Sequence, residues 1–512
     1  MKQLTLKATT LAVIMTFATP FAFAEDANTW LNDGAASLAA AKKLVPNVKR
    51  AKNVILFVGD GMGISTVTAA RIFEGQQKGL DGERNKLAFE KLPYVALSKT
   101  YSANQQTSDS APTMTAIVSG VKTNDGELSI NQSVVRSEPS NAVIQANKVA
   151  TILEQAEISG RATGIVSTAR LTHATPAATY AHTSNRDWEA NANLPAAAVN
   201  GGVKDIAAQM IDNFGAGGIG DGLEVALGGG RTYYLPNTAF DPEYTTTKGR
   251  RTDGRNLTTE FTSKFGGEYV WNKAQFDAIN PASTTKLLGL FEPSHMQYDF
   301  DRPADTAGEP SLAEMTDKAI DVLKNNPKGY FLMVEGGRID HASHAGNAYR
   351  TLSDAVAFSD AVKKALEKVD LNDTLVIVTA DHSHTLTIAG YPKRGNPILG
   401  KVVSPGKTTP DLATDGKPYT TIGFANGVGY YQDQAGDAVY NQTARAGRIE
   451  DMTAVNTEDP NFHQEVTVPL QGGETHAGED VAIFAGGPKA YLMQGVQEQS
   501  YIYQVMKDAF GF

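Results

Sequence analysis

The chain alternates between short, unbroken apolar runs and longer segments whose apolar residues recur every three or four positions. The first run is residues 53–58 (NVILFV), and others are 164–167, 224–227, 330–334, 374–379 and 480–485. Runs without polar alternation suit strands buried on both faces, as in a parallel sheet. Residues 311–325 and 348–369 read as amphipathic helices. The second places Leu352, Ala355, Val356, Val362, Leu366 and Val369 at helical spacing. The alternation predicts an α/β fold: a doubly wound, mainly parallel central sheet flanked by helices. Two stretches break the pattern. Residues 390–473 are rich in Gly, Pro, Thr and Asp and read as an insertion or small subdomain, and about 231–305 reads as irregular.

The N-terminus has its own pattern. Lys2 and Lys7 form a basic lead into an apolar stretch over 8–18, and Ala22-Phe23-Ala24 precedes Glu25-Asp26. This predicts a secretory signal peptide over 1–24, with 25–512 as the exported chain. No later segment has the length and apolarity of a membrane span. The expected product is soluble, periplasmic or secreted, with no membrane partner.

Composition narrows the chemistry. Of 512 residues, 41% are hydrophobic and 20% charged, which excludes whole-chain disorder or coiled coil. The 46 basic and 56 acidic residues give a net charge of −10, which argues against a nucleic-acid partner. There is no cysteine, so disulfides, thiolate metal sites and cysteine nucleophiles are excluded.

Acids and histidines gather where strands end. Asp60 follows NVILFVG, Glu335 follows YFLMV and precedes Asp340 and His344, and Asp381-His382 follow LVIVTA. Ligands in open α/β sheets bind beyond the carboxyl ends of the strands. Carboxylate and imidazole without sulfur suit Zn²⁺ or Mg²⁺. There are nine histidines, five of them in or beside these clusters or in Glu474-Thr475-His476. His295 and His463 read as ordinary polar histidines. The stretch Thr107-Ser108-Asp109-Ser110-Ala111-Pro112 reads as a helix N-terminus with Ser or Asp as cap and Pro in the first turn. Such an end also favours a phosphate, and a serine beside a metal there can act as nucleophile. Ser110 therefore carries both a capping and a catalytic reading.

Six blocks then carry a resemblance. VGDGMGISTVTAARI (58–72), DSAPTMTAIVSGVKTN (109–124), STARLTHATPAATYAHTSNR (167–186), VEGGRIDHASHAGNAYR (334–350), VTADHSHT (378–385) and ETHAGEDVAIFAGG (474–487) resemble the alkaline phosphatase family, bacterial and animal, in family order. The resemblance implies metal-dependent hydrolysis of phosphate monoesters through a phosphoserine on Ser110, with broad specificity. It implies Asp340, His344 and His476 on one zinc, and Asp60, Asp381 and His382 on a second. Magnesium would take Asp60, Thr175 and Glu335. Arg186 would fork the phosphate, and His341 would contact it through water. His173 would lie near the magnesium site, and His384 would support a zinc ligand from outside. A calcium site is implied at Glu243, the Phe291 carbonyl, Glu292 and Glu309, with ordinary surface acids as the alternative reading. Family habit also implies a homodimer and makes 390–473 a crown-like insertion. Pro112 and Met114 depart from the small residues usual after the serine, but neither removes a ligand. A phosphodiesterase, sulfatase or mutase of the same superfamily would lack Arg186 together with Thr175 and Glu335.

Overall fold

In the strand β1 (Asn53–Gly59) the side chains alternate between two hydrophobic cores. Val54, Leu56 and Val58 enter one, and Ile55 and Phe57 enter the other. An unbroken apolar run is what such a two-sided strand requires. The computed structural model describes residues 25–432, 443–447 and 451–512. The expected signal peptide, 1–24, lies outside the described residues. The chain divides into two units at Val45/Pro46. The first contains the exposed helix Ala27–Ala41, opened by an Asp26–Thr29 capping box. Among the described residues no helix is long and apolar enough to cross a membrane.

In the second unit, ten described strands form one sheet. After β1 come β2 (Tyr94–Lys99), β3 (Ala162–Arg170), β4 (Val225–Gly229), β5 (Glu268–Val270), β6 (Leu287–Leu290) and β7 (Tyr330–Gly336). The last three are β8 (Thr374–Ala380), β9 (Val481–Gly486) and β10 (Val496–Glu498). Their spatial order is β10-β2-β9-β8-β1-β7-β3-β4-β6-β5. The strands from β8 to β5 in that order run parallel, whereas β9 is antiparallel to both β8 and β2. The predicted runs at 53–58, 164–167, 224–227, 330–334, 374–379 and 480–485 each fall on one of these strands.

Helices cover both faces. Leu312–Leu323, with a Ser311–Glu314 capping box, and Ala348–Lys368 bury their apolar stripes against the core that holds Phe57. Ser110–Ser119 and Tyr501–Phe510 lie against the other core. The stretch 231–305, expected to be irregular, contributes β5 and β6 and the helices Leu257–Phe265 and Lys273–Ala278. These pieces are short, with little room to display a periodicity. Within 390–473, Ile422–Gly427 and Val466–Pro469 join Leu386–Ile388 in a small separate sheet, and the described residues 389–421 between two of these strands form no named helix or strand.

Candidate active site

The register of the central strands sets the site. Gly59 lies beside both Gly336 and Ala380, and Glu335 pairs with Val58 and Ser167. Asp60, Glu335 and Asp381 therefore reach one sheet edge at adjacent heights. Asp340, His341 and His344 follow at once on the helix Arg338–His344 after β7. Gly61 makes this crowding possible. Its φ is +67°, and a Cβ there would lie 2.3 Å from the His384 ring.

Ser110 is the first residue of the helix Ser110–Ser119 and is buried. Its Oγ donates to Asp60 Oδ1 at 3.2 Å and lies 3.1 Å from His382 Nε2. Pro112 sits in the first turn, where no intrahelical N–H is needed, and Met114 is wholly buried in the core. Asp109 is the N-cap by backbone geometry, but its side chain makes no capping bond. It accepts instead from Arg186 Nη1 at 2.8 Å. Burial opposes its charge, yet Arg186 holds its carboxyl below the usual range. The other arm of the fork, Arg186 Nη2, lies 2.9 Å from His173 Nε2.

Three donor clusters surround Ser110. In the first, Asp340, His344 and His476 face one another. His344 Nδ1 donates to the Glu474 carbonyl at 2.6 Å and His476 Nδ1 to the Ser108 carbonyl at 2.7 Å. Those bonds place the protons on Nδ1, so both Nε2 atoms present lone pairs. The two Nε2 atoms are 3.1 Å apart, each 3.4 Å from Asp340 Oδ1. Lone pairs and a carboxylate turned on one another repel unless a cation lies among them. This donor set fits Zn²⁺, and carbonyls holding the far nitrogens are the usual support of ligating histidines. His384 also touches Asp340, at 2.7 Å, but its other nitrogen meets Glu474 Oε2 at 2.5 Å. Burial works against its charge, yet Glu474 and Asp340 raise its pKa well above the usual value. It bridges two carboxylates as a donor at both nitrogens, leaving no lone pair for a metal.

The second cluster is Asp60, Asp381 and His382. His382 Nε2 lies 3.3 Å from Asp60 Oδ1 and 3.4 Å from Asp381 Oδ2. Burial lowers proton affinity here, but Asp381 and Asp60 overcome it and push His382 up to about 9. Such a field favours positive charge at this point. Asp381 Oδ1 is fixed by the Gly61 N–H at 3.1 Å. In the third cluster, Asp60, His173 and Glu335 offer ligand atoms within 4.8 Å of one another. Asp60 Oδ2, Thr175 Oγ1 and Glu335 Oε1 are all buried without a hydrogen-bond partner. Buried oxygens left unpaired are costly, and three of them fit a hard cation such as Mg²⁺. Burial, then the Asp60 charge, raises the Glu335 pKa well above normal.

The structure thus gathers the residues expected for catalysis, zinc and magnesium around Ser110 and brings in others to which the sequence gave no role in the site. Asp109 holds the fork, Glu474 holds His384, and Ser167 donates to Glu335 Oε2. All three stood inside the quoted motifs, which was the available signal. His295, read as an ordinary polar residue, packs against His173 and His341. His463 donates to the Ala345 carbonyl at 2.6 Å. Away from the site, Glu243 and Glu292 meet Asp305 in an acidic cluster. Glu309, expected with them, accepts from the Gln297 N–H through Oε1 at 3.0 Å, while its Oε2 is buried without a hydrogen-bond partner. Arg231 already donates to Glu243 at 3.0 Å.

A serine at a helix N-terminus, an arginine fork and three oxygen- and nitrogen-rich clusters at one sheet edge make up the chemistry of a phosphoryl-transferring hydrolase. The alkaline phosphatase family profile matches residues 51–512. The chain is 44% identical over 490 residues to the tissue-nonspecific alkaline phosphatase of Gallus gallus, covering 94% of this chain and 89% of the relative. It is 43% identical over 466 residues to the alkaline phosphatase of Gadus morhua, covering 90% and 92%. Among solved structures, the alkaline phosphatase of Thermus thermophilus aligns at a TM-score of 0.63 and 25% identity, covering 92% of this chain and 94% of that one. The enzyme of the Antarctic bacterium TAB5 aligns at 0.57 and 21%, covering 91% and 99%. The chain belongs to the alkaline phosphatase family, whose members are metal-dependent phosphomonoester hydrolases.

Proposed function

We propose that this chain hydrolyses phosphate monoesters in two displacements through a phosphoserine on Ser110. The observation that carries the reading is the placement of the Ser110 hydroxyl, 3.2 Å from Asp60 and 3.1 Å from His382, at a helix N-terminus beside the Arg186 fork. Asp340, His344 and His476 would hold one zinc, and Asp60, Asp381 and His382 a second. Asp60, Thr175 and Glu335 would hold magnesium. Bound ions of this kind lower the pKa of a hydroxyl nucleophile and stabilise the leaving oxygen.

The chain's own groups do the rest. Asp60 and His382 aim the Ser110 oxygen; as the Oγ–P bond forms and the ester P–O bond breaks, the serine proton passes by way of solvent to the departing alcohol oxygen. Water then attacks phosphorus, the Oγ–P bond breaks, and a proton of that water passes to the Ser110 oxygen. Arg186 grips two non-bridging oxygens with parallel N–H groups, a geometry lysine lacks. The free N–H groups at the start of Ser110–Ser119 add to this hold on the anion. These contacts address the phosphoryl group, so specificity toward the alcohol is broad.

Glu243, the Phe291 carbonyl, Glu292 and Glu309 would hold calcium, with Asp305 beside them; all-oxygen donors and the unpaired buried oxygens Glu309 Oε2 and Asp305 Oδ2 support this. Export through the 1–24 signal, a crown-like insertion over 390–473 and a homodimer complete the reading.

The test is phosphate release from an aryl phosphate at neutral and strongly alkaline pH, before chelation, after it, and after Zn²⁺ and Mg²⁺ are restored. Activity that rises with pH, is lost on chelation and needs both metals to return supports the reading. Fully metallated protein without turnover would sink it.

A further inference from the structure

Three histidines meet beside the phosphate fork. His173 and His341 have ring centroids 5.4 Å apart. His295 packs against both, 5.3 Å from His173 and 4.1 Å from His341. They come from three strand ends: His173 after β3, His295 after β6 and His341 after β7. The loop carrying His295 is tied down on both sides. Gly230 and Arg231 donate their N–H groups to the Glu292 carbonyl at 3.0 and 2.9 Å, and Met296 donates to the Thr168 carbonyl at 3.0 Å.

His295 is gripped in turn by Arg170. The guanidinium meets its Nε2, and the Arg170 backbone N–H lies 3.3 Å from its Nδ1. Arg170 is itself locked by a two-point ion pair to Glu189, at 2.8 Å in each arm, and Thr172 Oγ1 donates to the same carboxylate. At the far end, His173 Nε2 lies against Arg186 Nη2 at 2.9 Å. An unbroken line of contacts thus runs from Glu189 through Arg170, His295 and His173 to Arg186. A two-point grip on phosphate depends on the angle of the guanidinium plane, and small misplacements cost affinity.

We propose that His295 is a positioning residue for phosphate binding: anchored by Arg170, its ring backs His173 and His341 and so fixes the angle of the Arg186 fork. A histidine filling space would need only bulk. This one accepts from Arg170 at one ring nitrogen and sets its ring against two further histidines, one of which holds the fork. The inference rests on the reading of Arg186 as the phosphate-binding group.

The test uses fully metallated His295→Ala and His295→Gln, with Arg186→Ala as control, and inorganic phosphate as the probe. In His295→Ala, KM and the inhibition constant for phosphate should each rise about fivefold, a larger factor than kcat loses, with zinc and magnesium content unchanged. Gln keeps an acceptor for Arg170 without the ring, so His295→Gln should show a smaller rise; if His295→Ala does not fold, the Gln variant carries the same test. Native phosphate inhibition in folded His295 variants, while Arg186→Ala weakens it, would overturn the proposal alone. Metal loss in step with activity would also overturn it, by showing a role in the metal clusters. If Arg186→Ala leaves inhibition unchanged, the fork reading falls first and this inference with it.

Discussion

Asp109 Oδ2 accepts a hydrogen bond from Arg186 Nη1 at 2.8 Å, so the residue that begins the nucleophile's helix also holds the phosphate fork. The pair is mostly buried, at 19% and 18% side-chain exposure, which shields it from solvent screening. Asp109→Ala frees the fork without touching a candidate metal ligand. The expected outcome in steady-state kinetics is a severalfold weaker inhibition by inorganic phosphate, with metal content preserved.

Ser110→Ala removes the only protein atom proposed to form a bond to phosphorus. Turnover should fall by several orders of magnitude, as it does when other hydrolases lose a nucleophile that acts as part of a unit. Metal content should stay at the wild-type level by elemental analysis. Retained turnover in a metallated variant would remove the phosphoserine from the mechanism.

Glu335 supplies one of the three unpaired buried oxygens beside Asp60. In Glu335→Gln the site keeps its shape and loses a charge that a hard cation needs. Magnesium per chain should drop while zinc is retained. Equal loss of both metals would mean that the clusters fill as one unit and the third is not separable.

A pH dependence of stability follows from Glu224, far from the site at the head of β4. Burial, with the neighbouring Glu157 adding to it and Lys286 opposing, pushes its carboxyl up to about 8. The ordinary value, near 4.3, applies in the unfolded chain. Between those values the native state holds a proton that the unfolded state has released. Stability from this group is therefore full below about pH 4, declines as pH climbs towards 8, and then levels off. Glu224→Gln cannot ionise. Melting curves at about pH 6 and about pH 9.5 should show the variant gaining on the wild type as pH rises. A gap that stays flat or closes would contradict the shift.

The strands that carry the ligands were legible because a strand buried on both faces has no choice but to be apolar throughout. Asp60, Glu335 and Asp381 could be placed at one edge for the same reason. The direction of β9 could not be read, because an antiparallel strand buried among others has the same composition as a parallel one. β2, with Val95 exposed and Tyr94 half-buried, lacks the unbroken burial that marked the others. The Asp109–Arg186 pair joins positions whose nearness is a property of the fold, and local pattern carries no trace of it. Asp305 escaped notice because one more acid in a polar stretch carries no periodic signal.

The carbonyl that holds His476 belongs to Ser108, two residues ahead of the nucleophile. A proposed zinc ligand from the last strands and the approach to Ser110 are thus joined by a single hydrogen bond. Anything that swings the His476 ring also pulls on the backbone leading to the serine. Amide exchange at residues 107–110 should therefore report on the state of that imidazole. With zinc held as proposed, the segment would serve as a gauge of metal loading, readable without substrate and before any turnover takes place.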